Sequence, residues 1–300
     1  MNNIIVTYPN SENFEFYIQN NIDGFAIGIE NFSENFNYLV KESSLKKVEE
    51  KLNSIDKKIY IVLNKIFFNS DLENLKKLLF KLDKMNIQAV VFSDMAVFNI
   101  VKENSLNINL IWSSKMVINS KTINFFEKRG LYGFITTPQI TIDEFIDICD
   151  NTKSKAIIKL FGYTNMATSS RSLITNYFKY IKLNKNPKKK YYMYEKSTNE
   201  FYPIIEGDTT NFFSSKILNG LMEYKKLINK GVDCDIFLDD YLIPENNFYN
   251  IIEAFAALRN YPNDDIFADK LKTVVDSNLF NETDNGFLNK KTIFKVKNNE

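Results

Sequence analysis

Histidine is absent from all 300 residues. Without an imidazole the chain can build no Ser–His–Asp triad, no Cys–His dyad and no His-ligated zinc site. Cysteine is nearly as scarce. Cys149 and Cys234 stand far apart, which supports no disulfide framework, and two thiolates fall short of the four that usually hold an iron–sulfur cluster. Arginine occurs only at Arg129, Arg171 and Arg259 among many lysines, a bias that fits an AT-rich genome better than a function. No apolar run approaches the ~18 residues of a membrane span. The start, Met1-Asn2-Asn3-Ile4, lacks the basic and hydrophobic stretches of a signal peptide. No membrane association and a reducing cytoplasm are the expectation.

What is present describes a globular protein: 44% hydrophobic and 25% charged residues with a formal net charge of +1. That balance does not make the chain as a whole a polyanion binder, and its length suits one large barrel or two smaller domains. Short apolar runs rich in β-branched and aromatic residues recur at 4–7, 25–29, 59–63, 89–93, 108–112, 133–136, 156–161 and 235–238. Near-continuous hydrophobicity suits strands buried on both faces, as in a parallel sheet. Helical patterns alternate with them. Asp71 precedes an apolar stripe of Leu72, Leu75, Leu78, Leu79 and Leu82, and Thr141-Ile142-Asp143-Glu144 reads as a capping box. Helices are expected from Ser120 to a stop at Gly130, and from near Ser214 to a stop at Gly231. Eight strands alternating with helices predict an α/β (β/α)8 barrel, with an open doubly wound sheet as the alternative. In a barrel the C-terminal strand ends would bring Glu30, Asn64, Asp94, Ser113, Ser114, Thr137, Gln139, Asn165 and Asp239 to one mouth.

The interval between the seventh and eighth strands, residues 162–213, is far longer than an ordinary connection and predicts an insertion at the mouth. Residues 191–196 and 201–205 read as a hairpin within it. From Asn151 to Tyr194 there is no acidic residue, while Lys179, Lys182, Lys185, Lys188, Lys189 and Lys190 interleave with Tyr177, Tyr180, Tyr191, Tyr192 and Tyr194. Lysines neutralise phosphates and aromatic faces stack on unpaired bases, so this is the candidate RNA-binding segment. A solvated lysine-rich loop with tyrosines packed on the rim is the competing reading. Arg171 is a candidate clamp for a carboxylate or phosphate, against a structural ion pair with Asp94 or Asp239. Asp94, Glu206 and Asp239 are the candidate catalytic carboxylates, against the commoner roles of caps and salt bridges. Trp112 is a candidate stacking residue or a core residue. Cys149, in an apolar helix, and Cys234, between Asp233 and Asp235, read as inert thiols.

Several stretches in order, Ile27-Gly28-Ile29-Glu30-Asn31-Phe32, Ala89-Val90-Val91-Phe92-Ser93-Asp94, residues 162–177, Gly231-Val232-Asp233 and the tail through Lys291-Thr292 to Lys295-Val296-Lys297, resemble the U32-type, collagenase-like peptidases. The resemblance spans nearly the whole chain and is strongest to the shorter, cluster-less member of the paired tRNA wobble-uridine hydroxylation proteins of Gram-positive bacteria. It implies a barrel and, in members that hold an iron–sulfur cluster on four cysteines, hydroxylation rather than proteolysis. Gly162, Arg171, Asn176 and Tyr177 keep the family pattern, which makes the last three candidate ligand-binding positions. The first two cluster cysteines fall on Asn165 and Ser172, and no cysteine remains near Asn186-Pro187-Lys188. The resemblance thus implies a degenerate member with no cofactor of its own, acting as accessory subunit to a cluster-bearing paralogue, with tRNA as a further candidate partner. A residual hydrolase and a small-carboxylate-binding barrel are the alternatives.

Overall fold

The apolar runs become strands because each places apolar side chains on both faces. In the computed structural model, which describes residues 2–10, 14–116, 118–186, 189–279 and 282–290, β1 (Ile4–Thr7), β2 (Gly24–Gly28), β3 (Lys58–Leu63), β4 (Ala89–Phe92), β5 (Leu110–Ser113), β6 (Gly133–Thr136) and β7 (Lys155–Ser169) pair in parallel, each with the next. Three further strands intervene, β8 (Tyr191–Glu195), β9 (Glu200–Glu206) and β10 (Thr210–Asn219), before β11 (Cys234–Leu238) pairs in parallel with both β7 and β1. That double pairing closes an eight-stranded parallel barrel and rules out the open sheet. The strands expected from the sequence match these bounds to within two residues, except that β7 runs eight residues past its expected end.

Alternation along the strands sorts the core into two layers. Ile5, Ala26, Tyr60, Val62, Val91, Ile111 and Ile157 fill the barrel interior. Their neighbours Ile4, Val6, Ile61, Val90, Phe92, Leu110 and Ile158 face outward and pack with the helices. The helices are α1 (Glu15–Gln19), α2 (Leu45–Ser54), α3 (Leu72–Leu82), α4 (Met95–Glu103), α5 (Ser120–Glu127), α6 (Ile142–Asp150), α7 (Leu173–Tyr180), α8 (Leu221–Asn229), α9 (Glu245–Asn260) and α10 (Asp265–Asn278). The leucine stripe of α3 buries Leu75, Leu78, Leu79 and Leu82, each contributing about 1.5–3 kcal/mol from apolar burial.

The capping box of α6 forms as expected. Thr141 Oγ1 accepts from the Glu144 N–H at 3.2 Å, and the Glu144 carboxylate accepts from the Thr141 N–H at 2.7 Å. Asp71 does not cap α3 through its side chain; its carboxylate instead accepts from the Phe68 N–H at 2.9 Å, one turn earlier. Ser214 does not open a helix either, because it lies within β10, and the helix begins at Leu221.

β7 serves two sheets. Its first half belongs to the barrel, and its second half leaves the barrel to pair antiparallel with β10. The bend is at Gly162, whose φ is +114°, and a Cβ there would sit 2.5 Å from the Asp239 carbonyl oxygen. Only glycine fits that approach. Beyond the bend β10 pairs with β9 and β9 with β8, while β12 (Thr283–Asp284) adds to β10 in parallel. The expected hairpin is therefore β8–β9, and it continues a larger antiparallel arm rooted in the barrel wall. Helix α7 braces the arm through Phe178, whose ring lies 5.1 Å from that of Tyr191. Among the described residues no helix is long and apolar enough to cross a membrane.

Candidate functional site

The barrel mouth encloses a cavity of about 370 Å³ at the C-terminal ends of the strands. Asn64, Ser113, Ser114, Thr137, Gln139, Asn165 and Asp239 line it, as the barrel reading expects. The floor is apolar, formed by Tyr60, Val62, Val91, Ile157 and Phe237. Its central polar feature is an ion pair that sequence reasoning missed. On β7 the inward column is Lys155, Ile157, Lys159; on β11 and just past it the column is Asp235, Phe237, Asp239. The barrel's closure sets these columns side by side. At the bottom Lys155 Nζ lies 3.0 Å from Asp235 Oδ1, and at the mouth Lys159 Nζ lies 2.5 Å from Asp239 Oδ2. Lys159 also donates to the Tyr163 carbonyl at 2.7 Å, and Asp239 Oδ1 accepts from the Tyr241 N–H at 3.0 Å. Burial would lower the Lys155 ammonium, but Asp235 and Asp233 together hold it above its ordinary value.

The arm roofs the mouth and is latched to it. Glu34, in the loop after β2, accepts from Thr209 Oγ1 at 2.5 Å and from Asn211 Nδ2 at 3.4 Å. Lys65 Nζ reaches Asp208 at 2.6 Å, a second tie between barrel and arm. Asn211 Oδ1 in turn accepts from Asn165 Nδ2 at 2.7 Å and from Thr168 Oγ1 at 2.8 Å. Behind the mouth, burial and then the neighbouring Asp239 push the Asp240 carboxyl up to about 6, against the hydrogen bond it accepts from Thr7 at 2.6 Å.

The carboxylates expected to be catalytic do not converge. Asp94 is the N-cap of α4, accepting from the Ala96 N–H at 2.9 Å and the Phe67 N–H at 3.1 Å, and does not line the cavity. Glu206 sits in the arm, where Lys185 approaches it at 2.5 Å and the Thr175 hydroxyl donates to it. Burial alone would raise Glu206, but Lys185 and Thr175 hold it far below the usual range, at about 2. Only Asp239 reaches the mouth, and it is committed to Lys159.

The ligand-binding candidates also disperse. Arg171 is exposed and forms no ion pair among the described residues, so the expected pairing with Asp94 or Asp239 is absent; nor does it line the cavity. Asn176 and Tyr177 are exposed on α7, outside the mouth. Trp112 points away from the interior, with its ring 5.2 Å from that of Phe126 in the sheet–helix layer. The two halves of the sequence's mouth assignment thus part company: the loop polar groups arrive, and of the charged and aromatic candidates Asp239 alone does.

The basic segment divides in the same way. Lys155 and Lys159 belong to the barrel interior, and Lys185 is spent on Glu206. Lys179, Lys182, Lys189 and Lys190 are exposed and form no ion pair among the described residues, whereas Lys188 lies outside them. Tyr191 is a brace, its hydroxyl donating to the Asn186 carbonyl at 3.0 Å. Tyr180 is 85% exposed, and Tyr177, Tyr192, Tyr194 and Phe201 are each at least 50% exposed. The β8–β9 register pairs Tyr192 with Pro203 and Tyr194 with Phe201, which puts these rings on one face of the arm. The Tyr194 and Phe201 rings are 4.9 Å apart.

The positions assigned to cluster cysteines carry other chemistry. Asn165 is hydrogen-bonded within the mouth and Ser172 is an exposed hydroxyl at the start of α7. Cys149 lies in α6, where burial pushes its thiol up to about 12, and burial raises that of Cys234 as well. An amide, a hydroxyl and two protonated thiols in the outer layer do not fit an iron–sulfur cluster.

Comparison with known proteins agrees with the ordered resemblance. A tRNA hydroxylation protein P2 of Bacillus subtilis is 25% identical over 258 residues, covering 82% of this chain and 84% of that protein. A tRNA hydroxylation protein P of Haemophilus influenzae is 30% identical over 137 residues, 45% of this chain but only 30% of that protein. A solved U32 peptidase aligns over 80% of this chain and 92% of its own, with a TM-score of 0.49 and 11% identity. The model of peptidase family U32 matches residues 9–295, and the chain therefore belongs to that family.

Proposed function

We propose that this chain is an accessory component of tRNA hydroxylation, binding RNA through its arm and acting beside a cluster-bearing U32 relative rather than catalysing alone. The observation that carries the reading is the arm itself. One face presents Tyr192, Tyr194 and Phe201 to solvent, and lysines 179, 182, 189 and 190, nearby in the same segment, are left without carboxylate partners among the described residues. Exposed rings are costly to leave in water unless a partner covers them, and ring faces together with free ammonium groups in one segment match the bases and phosphates of unpaired RNA. The names of the two curated relatives support tRNA as the RNA. The replaced cluster positions support the dependence on a partner that supplies the oxidative chemistry.

The test is tRNA binding by the full chain across a salt series. Reversing Lys179, Lys182, Lys189 and Lys190 to Glu should lower affinity by more than about tenfold and flatten the salt slope by roughly 3. Replacing Tyr192 and Tyr194 by Ala should cost about 1–3 kcal/mol for each base unstacked. An affinity that neither set of changes moves would refute the RNA interface. Failure of the chain to co-purify with, or bind, a four-cysteine U32 relative would refute the accessory role.

A further inference from the structure

Glu34 lines the mouth with its two carboxylate oxygens in unlike states. Oε2 accepts from Thr209 Oγ1 at 2.5 Å, whereas Oε1 is buried and has no hydrogen-bond donor among the described residues. Asn64 fixes the residue in place, accepting from the Glu34 N–H at 2.9 Å and donating to the Glu34 carbonyl at 3.0 Å. Lys115, which also lines the mouth, holds its Nζ 3.9 Å from Oε1, beyond hydrogen-bond reach, on a side chain that is 44% exposed. The mouth thus carries a carboxylate oxygen in want of a donor, a rare state for a buried polar atom, and beside it an uncommitted cation. We propose that it binds a free α-amino acid with a large apolar side chain, the ligand's ammonium on Glu34 and its carboxylate on Lys115.

The pair of charges selects the head group. A carboxylate alone reaches Lys115 only by coming close to the unpaired Glu34 oxygen, which repels it. An amine alone satisfies Glu34 but sets its own charge against Lys115. A zwitterion avoids both conflicts, because its ammonium and carboxylate share one carbon and the charges then alternate from Glu34 through the ligand to Lys115. Half-exposed on a flexible stem, Lys115 swings outward as the ammonium takes its place beside Oε1. The ammonium–Glu34 bond is charge-assisted and largely shielded from solvent, so it carries most of the selectivity. The Lys115 contact is bathed by water and carries less. The floor selects the side chain: Tyr60, Val62, Val91, Ile157 and Phe237 present rings and branched chains, and about 370 Å³ takes an aromatic ring. Lys159 and Asp239 stay paired throughout. None of these groups belongs to the lysine and tyrosine face of the arm, so the site stands independently of RNA binding.

L-Phenylalanine, L-phenylalaninamide and 3-phenylpropanoate share one ring and differ in the head group, which makes them the probes. Titration by NMR on the full chain at neutral pH should show L-phenylalanine bound. The amide, which lacks the carboxylate, should bind about three- to fivefold more weakly, and 3-phenylpropanoate, which lacks the ammonium, at least about tenfold more weakly. Nuclear Overhauser contacts from the ligand ring to the Tyr60 ring should place it in the unsubstituted chain, so these outcomes do not depend on any variant folding. Lys115→Met should weaken L-phenylalanine to the level of the amide and leave the amide unchanged. Glu34→Gln keeps an acceptor for Thr209 but sets an NH2 group against the ligand's ammonium, and should weaken both at least about tenfold. The proposal is overturned by 3-phenylpropanoate binding as tightly as L-phenylalanine, or by no L-phenylalanine binding at millimolar concentration. Ring contacts confined to residues outside the mouth, or an affinity for L-phenylalanine that Lys115→Met leaves unmoved, would overturn it equally.

Discussion

Replacing Lys159 by Met removes the cation from the mouth while keeping an unbranched chain of similar length in the barrel. Both side chains of the Lys159–Asp239 pair are 15% exposed, so solvent screens them little. Breaking one partner of a fully buried pair costs about 3–5 kcal/mol, because the survivor stays buried and charged. Residual exposure, and the Tyr241 N–H that Asp239 keeps, place this case nearer to about 2–3 kcal/mol. Replacing both residues, as Lys159→Met with Asp239→Leu, removes the orphan charge and should return to within about 1 kcal/mol of the parent. Urea unfolding reads each value as a midpoint shift at unchanged slope, and the cycle of single and double variants isolates the coupling. A single variant costing under about 0.5 kcal/mol, or a double variant no better than the sum of the singles, would refute the claim that this pair organises the mouth.

Gly162→Ala should destabilise by about 1–3 kcal/mol or more, since a Cβ at φ +114° collides with the Asp239 carbonyl; native-state proteolysis should then find the arm loosened first. Asp94→Ala should cost about 1 kcal/mol in thermal unfolding through loss of the α4 cap, with no effect on tRNA binding. Asp240 prefers its protonated form in the fold, so its ionisation erodes stability as pH rises from the ordinary carboxylate range through about 6. Asp240→Asn should therefore gain about 1–3 kcal/mol above that pH and nothing below about 4, read from unfolding at the two pH values. Glu206 has the opposite sign: its depressed value of about 2 gives stability present above pH ~4.5 and lost as pH falls toward 2. Glu206→Gln should flatten that acid limb, measured by unfolding between those limits.

Strand and helix order was legible in the sequence because period-2 and period-3.6 apolar patterns are local, and the barrel's inner and outer layers follow from them. The β8–β9 hairpin was legible for the same reason, as were the Thr141 capping box and the polar loop ends at Asn64, Ser113 and Asn165. The missing cysteines and histidine bounded the chemistry before any fold was known. Tertiary structure alone decided which charges face each other. Lys155 and Lys159 look like part of a basic surface until β11 closes the barrel and sets Asp235 and Asp239 beside them. Glu34 meets Thr209 across 175 residues of chain, a contact no local pattern encodes. Lysines 179, 182, 189 and 190 stay outside while Lys185 turns in to Glu206, although all sit in one acid-free run. Residue type and spacing specify where a side chain can point, but long-range pairing of strands specifies what it meets. The fold came from the first, and the pairing of Lys155 and Lys159 inside the barrel, with lysines 179, 182, 189 and 190 left exposed, from the second.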